Sequence, residues 1–487
     1  MSLVLDAPRA THTSNHPSRR LLLVAYAFPP VGGAGVQRPL KWVKYLHRAG
    51  WHVTVLTPEN PSVPVIDASL LDEVPQETAF LRPRTWEPDY RFKQQLEQSS
   101  PGRAVPGTVR HAIERSGTPS ATARGVWKRW LRAAASLVLQ PDPQILWYRN
   151  AVRSATAHLR ATAHDAILVT APPYSSFLIG AALKRRCGLP LVLDYRDEWD
   201  LSSRYLENAQ RDGVSRFVQE RMQRAVLRQA DAVVATTQAS VRRLQERLDQ
   251  IGHEARTACI YNGYDADDFE RSPAFPKAGL PGEKPGFQKR PASETFRIVY
   301  TGTLWNLTTI APLVTALEHL HRQSPELAAR VELVCVGRKT PEQLALLDRL
   351  NSTSCRCVNV DYCDHATAIG WLQSADALCL LLSDVPGADR VVPAKLFEYL
   401  ASRQQVLALM PDGEAAQIVR RFQPHGWFSP DNIPAIVAWL QTQTSCESRK
   451  LHRRGLRDDI VEFIRERQTE RLLELLDEVT ATAGRRS

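Results

Sequence analysis

From Arg271 to Ser293 the chain carries Pro273, Pro276, Pro281, Pro285 and Pro291, interleaved with Gly279, Gly282 and Gly286. A packed helix or strand does not tolerate that density of residues lacking an amide hydrogen or a Cβ. The segment is therefore a linker, and the fold has to be assembled on either side of it. On the N-terminal side, strand-like apolar runs lie at 21–26, 51–56, 166–170, 191–194, 232–236 and 259–262, alternating with helical periodicity that begins at 38–49. On the C-terminal side a second series lies at 296–300, 331–336, 356–360, 377–382 and 405–409. Strand and helix in strict alternation specify a parallel α/β sheet, and 487 residues are too many for one such core. The reading is an α/β chain of two Rossmann-like domains. A polar tail covers 1–18, the first domain 19–270, the linker 271–293 and the second domain 294–450. A charged C-terminal helix within 451–487 carries an apolar stripe of Ile460, Ile464, Leu472, Leu475 and Val479.

Within the first domain, residues 61–140 read as an irregular insertion. Between Leu81 and Arg132 it holds eleven cationic against four acidic residues. Trp127-Lys128-Arg129-Trp130-Leu131-Arg132 has the pattern of a helix lying in a membrane interface, or of a surface helix packing its tryptophans on the domain. The formal charge of +10 favours an anionic partner without choosing among nucleic acid, lipid headgroups and phosphorylated substrates. Because no nucleic-acid module is recognisable, nucleic acid is not expected as a partner. No apolar run reaches the roughly 18 residues of a membrane span. Met1 to Pro17 lacks the basic-then-apolar order of an export signal. The expectation is a cytoplasmic protein, with the Trp127–Arg132 segment as its candidate contact to the inner face of the plasma membrane. Of the eight cysteines only Cys355, Cys357 and Cys363 cluster, near His365, and their spacing is not that of a zinc site, so no metal is expected.

Three constellations carry candidate chemistry. The first strand enters a loop with Gly32, Gly33 and Gly35 and then a helix containing Arg38. Exposed backbone amides at a helix N-terminus suit a phosphate or a sugar hydroxyl, and they are also consistent with a plain turn. A dinucleotide fingerprint is not supported, because G-x-G-x-x-G is absent and Val55-Leu56-Thr57-Pro58 offers no acid for a ribose. The run Asp194-Tyr195-Arg196-Asp197-Glu198-Trp199 follows a strand directly, at the sheet edge where ligands bind. There Arg196 and Asp197 either position an acceptor or cap the next helix. In the second half, Gly302 and Thr303 end one strand, and Gly337-Arg338-Lys339 ends the next. Val392-Pro393-Ala394-Lys395-Leu396-Phe397-Glu398 opens a helix on which Lys395 and Glu398 share a face. That spacing makes either a surface ion pair or a phosphate-and-ribose site.

Taken in order along nearly the whole chain, these stretches resemble the bacterial family 4 glycosyltransferases of GT-B fold. The matching segments are the Gly32-Gly33-Gly35 loop, Pro141-Asp142 with Trp147, Asp194 to Asp197 with Trp199, and Ala230-Asp231-Ala232-Val233. They continue with Ile260-Tyr261-Asn262-Gly263-Tyr264-Asp265, Tyr300-Thr301-Gly302, Ala375-Asp376-Ala377, and Pro393 to Ala401. The resemblance implies domains facing across a cleft, with the C-terminal helix returning to the first. It implies a retaining, metal-independent, hexosyltransferase-like enzyme that needs no cofactor beyond its nucleotide-sugar donor. The expected acceptor is a lipid-linked saccharide or glycan of cell-envelope or exopolysaccharide synthesis. The donor would meet Gly302, Thr303, Arg338, Pro393, Lys395, Leu396 and Glu398, with Glu398 on the ribose and Arg338 and Lys395 on the pyrophosphate. The acceptor or a phosphate would meet Gly32, Gly33, Gly35, Arg38 and Arg196, and Asp197, Arg338 and Lys395 are the catalytic candidates.

Two positions depart from the family pattern. Arg390 stands where many members carry a second glutamate, and Phe177 stands where relatives often have a histidine. These departures keep a catalytically degenerate, nucleotide-binding or scaffold paralogue in view. An epimerase of the same fold is a further alternative, distinguished by turnover of donor without acceptor.

Overall fold

The computed structural model describes residues 19–90, 139–205, 213–271, 295–445 and 458–484. Seven strands, β1 (Arg20–Val24), β2 (His52–Leu56), β3 (Ala79–Leu81), β4 (Ala166–Ala171), β5 (Leu191–Tyr195), β6 (Ala232–Ala235) and β7 (Arg256–Cys259), form one parallel sheet. Its order is β3-β2-β1-β4-β5-β6-β7. Six more, β8 (Phe296–Thr301), β9 (Val331–Val336), β10 (Arg356–Val360), β11 (Ala377–Leu381), β12 (Gln405–Leu409) and β13 (Trp427–Phe428), form a second in the order β10-β9-β8-β11-β12-β13. In each sheet the winding reverses beside the first strand, and a crevice opens at the carboxyl ends there.

The first sheet is flanked by α1 (Ala34–Arg48), α2 (Tyr148–Ala161), α3 (Ser175–Cys187), α4 (Trp199–Tyr205), α5 (Gly213–Leu227), α6 (Gln238–Gln250) and α7 (Ala266–Arg271). The second is flanked by α8 (Ala311–Gln323), α9 (Pro325–Ala328), α10 (Pro341–Asp348), α11 (His365–Ser374), α12 (Lys395–Ala401), α13 (Glu414–Phe422) and α14 (Ile433–Thr444). The chain ends in α15 (Arg465–Gly484). Strands covered on both faces explain the continuous apolar runs. Leu22, Val24, Ile167 and Val169 pack toward α2, α3 and α5, and Leu21, Leu23 and Leu168 toward α1 and α15.

Several boundaries differ from the sequence reading. α1 begins at Ala34, four residues early, and runs through Pro39. The strand expected at 259–262 is Arg256–Cys259, because Tyr261 to Tyr264 leave the sheet to pair with the C-terminal segment. The short edge strands β3 and β13 carry too few residues for a periodic signal. β3 belongs to the segment read as irregular, and the Trp127–Arg132 motif lies outside the described residues. The terminal helix is broken: Asp458–Phe463 is a 3₁₀ turn, and α15 follows. Ile460 and Ile464 pack on the second domain, whereas Leu472, Leu475, Leu476 and Val479 pack on the first. The chain's end thus spans both domains.

The two chain crossings lie side by side. Tyr264 N–H donates to Phe463 O (3.0 Å), Arg465 N–H to Tyr264 O (2.8 Å) and Tyr261 N–H to Gln468 Oε1 (2.9 Å). Beneath them, buried Lys41 of α1 places its ammonium 2.5 Å from Asp268, 2.6 Å from Glu73 and 2.7 Å from Asp265. These carboxylates are close enough to hold a metal ion, but the lysine occupies the space between them. Lys44 adds pairs to Asp265 (2.6 Å) and Asp267 (2.8 Å), and Tyr45 O–H donates to Asp265 (2.8 Å). Burial alone would raise the Asp265 carboxyl, but the two lysines hold it below its ordinary range. From the second domain, His365 Nε2 lies 3.2 Å from Asp268. Burial disfavours the imidazolium, yet the Asp268 hydrogen bond and the Glu398 charge outweigh it and raise the His365 pKa.

A raised histidine pKa stabilises the fold fully below the unfolded value of about 6.5, and the contribution fades as pH climbs through the folded value. The urea midpoint of the native chain is therefore expected to exceed that of His365→Gln by more at pH about 6 than at pH about 9. Equal gaps at both pH values would contradict this assignment.

Candidate functional site

The carboxyl ends of the two sheets face each other across an open cleft of about 350 Å³. Gly35, Pro172, Arg196, Asp197 and Leu201 line it from the first domain, and Trp305, Leu307, Val385, Arg390 and Pro393 from the second.

The glycine loop forms one wall. Gly33 is the N-cap of α1 at φ 97°, a conformation that favours glycine. At Gly32 a Cβ would meet Val65 and the Tyr362 hydroxyl, so the loop packs on its neighbours there. Pro39 has no N–H to close the helical bond onto the Gly35 carbonyl. The Arg196 guanidinium supplies that donor and also donates to Pro172 O and to Ala171 O (3.3 Å). Arg196 is thus a strut tying three loops together. Arg38 is engaged likewise. It is 2% exposed, paired with Asp194 (2.9 Å) and donating to Tyr261 O (2.9 Å), so its charge is already matched.

The Asp194–Trp199 run divides its labour residue by residue. Asp194 holds Arg38 and accepts from Thr170 Oγ1 (2.7 Å). Tyr195 packs on Phe177, their centroids 4.4 Å apart, and Trp199 stacks on Tyr174 at 4.6 Å. Phe177 is fully buried, so the family's histidine position here belongs to the core. Asp197 remains exposed in the cleft, where desolvation by the surrounding walls raises its carboxyl pKa against the lowering pull of Arg196. Glu198 crosses the cleft: its carboxylate accepts from Arg390 at 2.8 and 2.9 Å, and from Ser240 Oγ at 2.8 Å.

Beside the second-domain wall, at the carboxyl edge of its sheet, the turns after β8 and β9 run alongside one another. Leu304 N–H donates to Arg338 O (2.8 Å), and a Cβ on Gly337 would strike Gly302 O. Gly302, at φ 120°, and Thr303 are exposed at this edge, as is Arg338, whose guanidinium lies 3.4 Å from the Tyr90 hydroxyl. Lys339 is turned inward and donates to Gly337 O (2.8 Å) and Val360 O (2.7 Å). Lys395 lies beneath Gly302 and donates to Tyr300 O–H (2.9 Å) and Thr301 O (2.8 Å), leaving one of its three donors uncommitted. Burial lowers its pKa, opposed by Tyr399, Cys379 and Glu398. It makes no ion pair with Glu398, so the surface-pair reading of their spacing does not apply. Leu396 is core, Pro393 lines the cleft, and Glu398 is half-buried within electrostatic reach of His365 and Arg465. The structure therefore brings Gly302, Thr303, Arg338 and Lys395 to one edge, with Pro393 on the adjoining wall. The Arg390–Glu198 contact, Trp305 and the Val385–Ala388 turn lay outside the sequence reading, and no local pattern marks them.

Residues 32–263 match the model of the glycosyl transferase 4-like domain. Among curated proteins no sequence match is found. Solved structures of similar fold include a sucrose-phosphate synthase from Thermosynechococcus elongatus, 17% identical with a TM-score of 0.60 over 95% of this chain and 100% of that one. Anabaena HepE in complex with UDP and glucose is 14% identical, with a TM-score of 0.56 over 94% of this chain and 100% of the other. An α,α-trehalose 6-phosphate synthase from Burkholderia multivorans is 11% identical, with a TM-score of 0.58 over 96% and 100%. Residues 32–263 thus carry a glycosyl transferase 4-like domain, and the two parallel sheets meeting at a cleft give the whole chain the fold of these solved structures.

Proposed function

We propose that the enzyme transfers a sugar from a nucleotide-sugar donor, with retention of anomeric configuration, to a lipid-linked saccharide or glycan of the cell envelope or an exopolysaccharide. The observation that carries the reading is the apposition of two walls. Trp305 and Val391 to Ala394 line the cleft from the second domain beside the cationic, backbone-exposing edge of Gly302, Arg338 and Lys395, and Asp197 lines it from the first. UDP and glucose in the complex of the HepE relative support a nucleotide-sugar donor.

In this reading the bond from the anomeric carbon to the diphosphate oxygen breaks as a bond to the acceptor hydroxyl oxygen forms. Arg338 and the spare Lys395 donor offset the charge growing on the departing diphosphate. Asp197 receives the acceptor's proton, which its raised pKa favours. Glu398 accepts from the ribose hydroxyls, beside His365 and Arg465.

A basic face of the first domain supports an acceptor presented at an anionic membrane surface. Helices α2, α3 and α5 pack side by side and expose Arg153, Arg160, Arg185, Arg186 and Arg221, with Arg228 just beyond. Phe217, 59% exposed, lies among them under the Arg221 guanidinium. Among the described residues no helix is long and apolar enough to cross a membrane, so this face would lie on the bilayer.

Three outcomes follow. Glu398→Gln should weaken binding of the nucleoside diphosphate by about ten- to a hundredfold, since a charged hydrogen bond contributes about 1.5–3 kcal/mol. Calorimetric titration with UDP, ADP and GDP in turn reads this, and unchanged affinity removes Glu398 from the site. The rate of sugar transfer should rise with pH through an acid limb above the ordinary carboxylate range, reflecting ionised Asp197. Asp197→Asn should lose that limb along with most of kcat, and an intact limb in the variant would exclude Asp197 as the base. Finally, the chain should sediment with phosphatidylglycerol vesicles and be released by salt, with phosphatidylcholine vesicles leaving it in solution. Arg185→Glu/Arg221→Glu should abolish the association, and retention by the variant would contradict this membrane face.

A further inference from the structure

Arg390 replaces an acidic residue of the family pattern, and its surroundings give the replacement a use. Its guanidinium makes a bidentate pair with Glu198 of the other domain. The Glu198 side chain is 6% exposed and that of Arg390 28%, so the pair is screened far less than a surface ion pair. The contact is reinforced on both sides. Ser240 Oγ gives Glu198 a third hydrogen bond, and Thr237 Oγ1 donates to the Arg390 carbonyl (3.0 Å), fixing its backbone as well as its side chain.

Two neighbouring contacts join the same surfaces. Glu414 at the start of α13 accepts from Gln238 N–H and Ala239 N–H (both 2.9 Å), so a second-domain carboxylate caps the N-terminus of first-domain helix α6. At Gly387, φ 96°, a Cβ would meet the Leu201 side chain of α4, so the two domains are in contact there. Immediately after Arg390, Val391 to Ala394 form the cleft wall and lead into α12, which carries Lys395 and Glu398.

We infer that Arg390 and Glu198 are an interdomain positioning pair, which closes the cleft and sets the donor-bearing Val391–Ala394 wall at its working distance from Asp197. This rests on the reading that sugar transfer occurs in the cleft. Neither residue needs to touch donor or acceptor. Arg390 acts through the segment it anchors, and Glu198 acts by holding Arg390. The exchange of an acid for a base at position 390 is then a change of use, because the acid it pairs with is supplied by the other domain.

The test uses the full chain as wild type, Arg390→Gln, Arg390→Glu and the charge swap Arg390→Glu/Glu198→Arg. Arg390→Glu sets two carboxylates against each other and should increase the radius of gyration in small-angle scattering. It should lower kcat by about tenfold or more while the affinity for the nucleoside diphosphate (UDP, ADP or GDP, whichever binds) changes less than about twofold, as a positioning role requires. Arg390→Gln should fall between, and the swap should restore both compactness and kcat. Three results would overturn the inference: unchanged scattering and kcat in Arg390→Glu, a parallel loss of nucleotide affinity that makes Arg390 a ligand, or a swap that restores nothing. If the wild type turns over no donor while scattering still follows the charges, the transfer reading fails and the closing pair stands.

Discussion

The Lys41 ammonium is the interaction on which the two-domain arrangement depends. A buried cation among three carboxylates is stable only while each partner stays in place, and removal of one partner from such a group costs about 3–5 kcal/mol. Those partners come from separate parts of the chain: Glu73 from the segment before β3, and Asp265 and Asp268 from the first interdomain crossing. Asp268 in turn engages His365 of the second domain, and the C-terminal crossing hydrogen-bonds directly to the first. Where the chain changes domains is therefore set by charge satisfaction as much as by apolar packing.

From that anchor the site is assembled at strand ends. Six consecutive residues at the end of β5 and just after it divide five purposes. Buried Asp194 neutralises Arg38, Tyr195 and Trp199 complete an aromatic cluster, Arg196 braces loops, Glu198 reaches across the cleft, and Asp197 faces into it. The crowding of charge in this run is mostly structural. It costs little in the folded state because each buried charge meets an opposite charge or backbone dipoles.

Much of this was legible in the sequence. Apolar runs at strand length reported burial on both sheet faces, and the ordered motifs pointed to the glycosyl transferase 4-like domain that residues 32–263 match. Five strands of the second sheet fall within one residue of their expected limits. What was not legible depends on contacts distant along the chain. Arg196 and Arg38 looked available because nothing nearby in sequence competes for them, but their partners, Gly35 and Asp194, lie 161 and 156 residues away. Arg390 looked like an erosion of the family pattern because Glu198 is 192 residues distant. Lys339 and Arg338 were alike as adjacent cations, and only the fold shows that one is folded inward onto carbonyls while the other reaches the surface. The break at Ile464 escaped notice because both halves of the terminal segment keep a helical period while packing on different domains.

The proline within α1 has one more implication. Because its ring nitrogen cannot donate, the Gly35 carbonyl finds its partner outside the helix, on the end of a neighbouring strand. The glycine loop is thereby coupled to the sheet edge: any excursion that lifts the loop must also pull Arg196 from the two proline-loop carbonyls it holds. A feature that in isolation would weaken a helix here removes a degree of freedom from the wall of the cleft. The loop's motion becomes that of the sheet beneath it.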